Sequence, residues 1–118
     1  MVQVRQIIYF EDHFLNFYNL QTEKVKGKID SVLFVVKVAK RIPQKFFKYL
    51  TGTDGLFEIR VELQHNIYRI FCCFDDGNLV ILFNGFQKKS EKTPQIEIEK
   101  ALKLKNKYFH EKYKNKKK

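Results

Sequence analysis

Residues 57–63 alternate without a break. Phe57, Ile59, Val61 and Leu63 are separated by Glu58, Arg60 and Glu62. A period of two puts the apolar set on one face and the charged set on the other, the pattern of a half-buried β-strand. Gln64-His65-Asn66 turns the chain, and residues 67–74 are rich enough in Ile, Tyr and Phe to form the next strand. Asp76-Gly77 marks a hairpin corner, because both central positions of a type I′ turn take positive φ. Leu79-Val80-Ile81-Leu82-Phe83 is apolar on both faces and predicts a central strand covered on each side.

The first half supplies what covers such a sheet. Gln3 to Phe10 reads as a first strand. Glu11-Asp12 favours the positive end of a short helix carrying Phe14, Phe17 and Tyr18. From about Glu23, Val25, Ile29, Val32, Leu33, Val36 and Ala39 share one helical face, with Gly27 a weak point inside it, and Arg41-Ile42-Pro43 ends the helix. The stretch from Pro43 to Tyr49 is expected as one short helical turn with Phe46 and Phe47 packing back, and residues 51–55 as a loop. Thr93 is the expected N-cap of a last helix, Pro94 its first residue, and Ile98, Ala101, Leu102 and Phe109 its apolar stripe. Glu99 and Lys103 form an i,i+4 pair in the favourable order. The expectation is an α+β fold of order β-α-α-β-β-β-α, an antiparallel sheet packed against the N-terminal helices and a C-terminal helix, with its other face partly open. Residues 1–112 are read as one domain and 113–118 as a basic, unstructured tail.

Composition narrows the functional classes. Of 118 residues, 44% are hydrophobic, enough for a core and against disorder. The longest apolar run, Ser31 to Val36, is closed by Lys37 and is far short of a membrane span. The N-terminus lacks the regions of a secretion signal, which predicts a cytoplasmic protein with no membrane association. Adjacent Cys72 and Cys73 point to opposite faces of a strand and read as small hydrophobes in a reducing compartment. His13, His65 and His110 are scattered surface residues, and Asp75-Asp76 is a corner, so neither a metal site nor a cofactor is expected. There is no glycine-rich phosphate loop and no nucleophile elbow. The net charge of +10 is uneven: residues 1–99 hold 14 basic and 12 acidic side chains, whereas 100–118 hold nine lysines and only Glu111. Such an end attracts nucleic-acid phosphates or an acidic protein, or simply keeps the chain solvated.

Two arginines stand out within the strands. Arg60 lies opposite the apolar side of its strand, and Arg69 interrupts Ile67-Tyr68-Arg69-Ile70-Phe71. An arginine in that setting needs an anion or an acid partner. Either it pairs internally with Glu58 or Glu62 across the hairpin, or the two guanidiniums grip phosphate from an open sheet face. The chain then leaves the sheet through Asn84-Gly85-Phe86 into Gln87-Lys88-Lys89-Ser90-Glu91-Lys92. Phe86 is either a core aromatic or a platform on which a base stacks while Lys88, Lys89 and Lys92 hold the backbone.

At these residues the sequence resembles a family. Gly52-Thr53-Asp54-Gly55-Leu56-Phe57-Glu58-Ile59-Arg60, then Ile67-Tyr68-Arg69-Ile70-Phe71, then Asn84 to Pro94 with its Gly85-Phe86-Gln87-Lys88-Lys89 core, look like the RelE/HigB toxin superfamily in its phage-derived HigB-like branch. The likeness covers about residues 4–110, with the three blocks in order. It implies a type II toxin–antitoxin toxin: a ribosome-dependent endoribonuclease that cuts mRNA and halts translation without a metal. It also implies a cognate antitoxin of helix-turn-helix type, through which the complex meets operator DNA. By the motif, Arg60, Arg69 and Lys88 take the catalytic positions, with Lys89, Lys92 and Phe86 binding RNA. Where RelE has one of a pair of lysines, this sequence has Glu58, and the resemblance names no general base. A non-catalytic member that binds antitoxin or RNA, and a plain basic nucleic-acid module, are the alternative readings.

Overall fold

The computed structural model describes residues 2–89 and 92–116. Its elements are β1 (Gln6–Tyr9), α1 (His13–Asn19), α2 (Glu23–Val38), β2 (Phe47–Tyr49), β3 (Phe57–Leu63), β4 (Asn66–Asp75), β5 (Leu79–Lys88) and α3 (Gln95–Lys116). The fold is α+β, with one five-stranded sheet in the order β1-β5-β4-β3-β2. Strand β1 runs parallel to β5, and the other pairings are antiparallel. Among the described residues, no helix is long and apolar enough to cross a membrane.

The alternating segment forms β3 as expected, and the doubly apolar segment forms the start of β5 between β1 and β4. On one side of the sheet Ile59, Val61, Ile70, Cys72, Val80 and Leu82 meet Phe14 and Phe17 of α1 and Val25, Ile29, Val32 and Val36 of α2. On the other side Leu56, Phe71, Cys73, Ile81 and Phe83 meet Ala101 and Leu104 of α3. The second face is therefore largely roofed by α3, more than the sequence reading allows. Thr22 caps α2 by accepting from the Val25 N–H at 3.3 Å. The Arg5 guanidinium closes its other end, donating to the carbonyls of Val36 at 3.0 Å and Lys40 at 2.8 Å.

Three segments differ from the expectation. Residues 47–49 are not a helical turn but an edge strand on β3. One turn does form, with the Phe46 N–H on the Pro43 carbonyl. Beyond it, an extended chain lays Phe47 on Phe57 with ring centroids 4.9 Å apart, and on Phe74 at 5.7 Å, which helical geometry at Pro43 does not offer. Helix α3 begins one residue later than expected, with the Pro94 carbonyl accepting from Glu97 and Ile98. It then continues through residues 113–116, where an unstructured tail was expected; Lys117 and Lys118 lie outside the described residues.

That end of α3 is anchored before the tail begins. Asp75, buried at the end of β4, accepts from the Tyr108 hydroxyl and from Lys112, each at 2.7 Å. Burial raises its carboxyl's pKa, but the Lys112 and Tyr108 hydrogen bonds outweigh it and hold the group below the usual aspartate value. The corner carries both its residues at positive φ, 49° at Asp76 and 75° at Gly77.

Candidate nucleic-acid interface

The register of β3, β4 and β5 decides which charged residues meet. Arg60 lies opposite Arg69, and Arg69 lies opposite Phe86. One row further along, Glu62 faces Ile67 and Ile67 faces Lys88. Partners across a ladder share a face, so the two arginines, Phe86 and Lys88 all lie on the α3 side of the sheet. With strands ~4.8 Å apart, the Arg60–Arg69–Phe86 row spans roughly 10 Å. It runs past the Phe71/Phe83 core that Ala101 and Leu104 cover.

A β-bulge makes this alignment. Ile70 pairs with Gly85 but Cys72 pairs with Leu82, so β5 has two residues, Phe83 and Asn84, against Phe71 alone. The extra residue reverses the alternation of β5 beyond it. Phe86 and Lys88 thereby join the arginine face, and Gly85 turns to the α1 side. A Cβ on Gly85 would lie only 2.5 Å from the Phe17 ring, so the bulge requires glycine there.

The arginines are partly committed. Arg69 is 7% exposed, Glu58 is 2% exposed, and the Arg69 guanidinium donates from Nη1 to Glu58 Oε1. Internal pairing, one of the two readings open in the sequence, is thus what the structure shows for Arg69. The pair is not saturated: Arg69 Nε and Glu58 Oε2 are buried without a hydrogen-bond partner among the described residues. Arg60 is more open and donates to Glu62 at 2.7 Å. It also borders a groove with Lys28 and Lys45 at the edge of β3. Lys88 is half-buried and Lys89 exposed just beyond the end of β5. Phe86 is half-buried, its ring 5.4 Å from that of Phe71, so it belongs to the core margin and stays partly exposed. Lys92 is exposed and lies past residues 90–91, outside the aligned rows.

The remaining candidates lie outside these two rows. His13 pairs with Glu11 at 3.0 Å, and His65 occupies a turn at φ 71°. Both cysteines are buried free thiols; burial pushes the Cys72 pKa well up and that of Cys73 to about 12. Among the described residues, no three His, Cys, Asp or Glu side chains gather to hold a metal ion. One polar residue escaped the sequence reading. Asn84 is 2% exposed and ties the bulge to α3, donating from Nδ2 to the Glu97 carbonyl and to Glu97 Oε1. Its only sequence signal is a polar residue interrupting an apolar strand.

The face thus gathers two guanidiniums, an ammonium and an aromatic ring on one sheet surface, in a chain whose excess charge is positive. The family model for phage derived protein Gp49-like (DUF891) matches residues 18–106, which includes every residue of the two rows. The chain belongs to this family. No curated protein matches it. The Gp49-like match holds all four strands β2 to β5 and the bulge, and ends within α3.

Proposed function

We propose that this Gp49-like protein is the toxin of a type II toxin–antitoxin system, an endoribonuclease that cleaves mRNA on the ribosome and so stops translation. The observation that carries the reading is the bulge-set alignment of Arg60, Arg69, Phe86 and Lys88 on one sheet face. The resemblance of those residues to the RelE/HigB superfamily supplies the reaction class.

The chemistry is an in-line attack of a ribose 2′-OH on the adjacent phosphate. The 2′-OH loses a proton, the phosphorane gathers negative charge, and the 5′-oxygen leaves with a proton. Arg69 is a guanidinium already fixed by Glu58 and only slightly exposed, so it lends its charge to a phosphate held at the surface of the row. Fixing a donor before substrate arrives removes reorganisation from the barrier. Arg60 stands beside it and Lys88 protonates the leaving oxygen. The carboxylate we assign to the 2′-OH proton is Glu62, solvent-facing, on the same face, and held by Arg60. Lys89 and Lys92 steer the RNA backbone, and the half-buried Phe86 stacks on a base.

The partners follow from the same reading: mRNA in the ribosome, and an antitoxin of helix-turn-helix type that covers the basic face. The site of action is the cytoplasm. The test is induced expression of wild type, Lys88→Ala and Glu62→Gln in bacteria, with growth and mRNA 5′ ends followed together. Arrest with new 5′ ends in the wild type, lost in both variants while they remain folded, supports the assignment. Full toxicity of both variants overturns it.

A further inference from the structure

Helix α2 packs on the face of the sheet away from α3 and the arginine rows. Of its first three N–H groups only that of Val25 is taken, by Thr22 Oγ1 at 3.3 Å. Those of Glu23 and Lys24 have no acceptor among the described residues, as the start of a helix dictates. Two N–H donors and the positive end of a 16-residue helix therefore face outward together. A groove of about 390 Å³ lies at this point, walled by Thr22, Glu23 and Lys24 on one side and by Leu63, Asn66 and Tyr68 of β3 and β4 on the other.

Tyr68 makes this more than a helix end. It lies between Val61 and Gln87 in the sheet, one residue before Arg69, so its side chain takes the opposite face from the arginines. It is 5% exposed, and its ring packs 6.4 Å from that of Phe17. Its hydroxyl makes no hydrogen bond among the described residues, yet it is not sealed from solvent as Arg69 Nε and Asn84 Oδ1 are. The small exposed part of this nearly buried tyrosine thus includes its hydroxyl, which opens into the groove. A donor on a ring fixed by packing is already in place for an acceptor that enters. The Glu23 carboxylate is drawn off to Lys26 at 3.5 Å, and Lys24 adds an ammonium at the mouth.

We infer that this groove binds a phosphate group, held by the Glu23 and Lys24 N–H groups, the Tyr68 hydroxyl and the Lys24 ammonium. A helix N-terminus suits an anion. Donors on two facing walls suit a tetrahedral one, which accepts from several sides at once, better than a planar carboxylate. Val25 and Leu63 add apolar wall beside it, so free phosphate and a small organic phosphate both fit. Because the site faces away from the arginine rows, the inference stands apart from the RNA-directed reading above.

The probe is inorganic phosphate titrated into the ¹⁵N-labelled full chain at constant ionic strength, with chloride and acetate as controls. The expected result is a saturable shift of the Glu23 and Lys24 amide signals that neither control produces. Tyr68→Phe keeps the ring and removes only the hydroxyl, and is expected to weaken phosphate about tenfold. Glu23→Gln removes a like charge and is expected to tighten it. Shifts that never saturate, acetate binding as well as phosphate, or a folded Tyr68→Phe chain that binds like the wild type overturn the site. The same titration in Lys88→Ala separates it from the basic face, since α2 shifts that vanish with Lys88 also overturn it. Phenyl phosphate then identifies the source: tighter binding than phosphate supports an organic phosphate seated against Val25 and Leu63, and equal binding supports the free ion.

Discussion

Arg69→Ala is the obvious variant for a basic site, and the structure predicts that it is first of all a stability mutation. The substitution leaves the Glu58 carboxylate 2% exposed with no counter-charge. Breaking one side of a buried ion pair costs about 3–5 kcal/mol, against a total stability of roughly 5–15 kcal/mol for a domain. With a urea slope near ~1.5 kcal/mol per molar, the unfolding midpoint falls by about 2–3 M. Replacing both partners, Glu58→Leu with Arg69→Met, removes both desolvated charges. It also removes the unpartnered Nε and Oε2, so the double variant is expected within about 1 kcal/mol of wild type. Urea unfolding of the four proteins in the cycle is the assay. An Arg69→Ala cost under about 1 kcal/mol, or a double variant no more stable than the worse single, refutes the reasoning. The cycle also serves the functional question, since only the double variant tests loss of Arg69 in a folded chain.

Gly27 sits inside α2, and a Cβ there meets no heavy atom within 4 Å, so Gly27→Ala is expected to stabilise by about 0.5–1 kcal/mol and raise Tm by a few degrees; a lowered Tm contradicts this. Burial first, then donation to the Asp75 carboxylate, pushes the Tyr108 pKa up to about 12. A folded value above the unfolded one gives stability that is intact below the ordinary tyrosine value and lost as pH rises through 12. Phenolate absorbance should show a late tyrosine that moves earlier in Asp75→Asn, and no change in that variant would contradict the pairing. Cys72 and Cys73, buried with raised pKa values, are expected to resist a thiol reagent near neutral pH until denaturant is added; rapid labelling of the folded chain would contradict the packing.

Much of the fold is legible because its signals are local. The alternation over 57–63 and the apolar run 79–83 name their own strands, and the helical spacing of Val25, Ile29, Val32 and Val36 names α2. What the sequence hides is set by contacts between distant residues. Phe46 and Phe47 suit a helical turn or a strand equally well until Phe57 and Phe74 are placed beside them. Lysines 112 and 114 look like tail charge until Asp75 is seen to hold Lys112. The bulge at Phe83-Asn84 leaves no periodic trace, yet it moves Phe86 and Lys88 onto the arginine face. The arginines themselves were legible as residues needing an anion. Which carboxylate each takes, Glu58 for Arg69 and Glu62 for Arg60, depends on register and burial.

The most direct test of the account is to map mRNA 5′ ends after a brief pulse of expression, comparing wild type with Lys88→Ala. Lys88 forms no ion pair among the described residues, so its loss leaves the fold intact. New 5′ ends confined to translated frames in the wild type, and absent from the folded variant, are the predicted result. Identical ends in both, or none in either from folded protein, would contradict the claim that this sheet face cuts RNA.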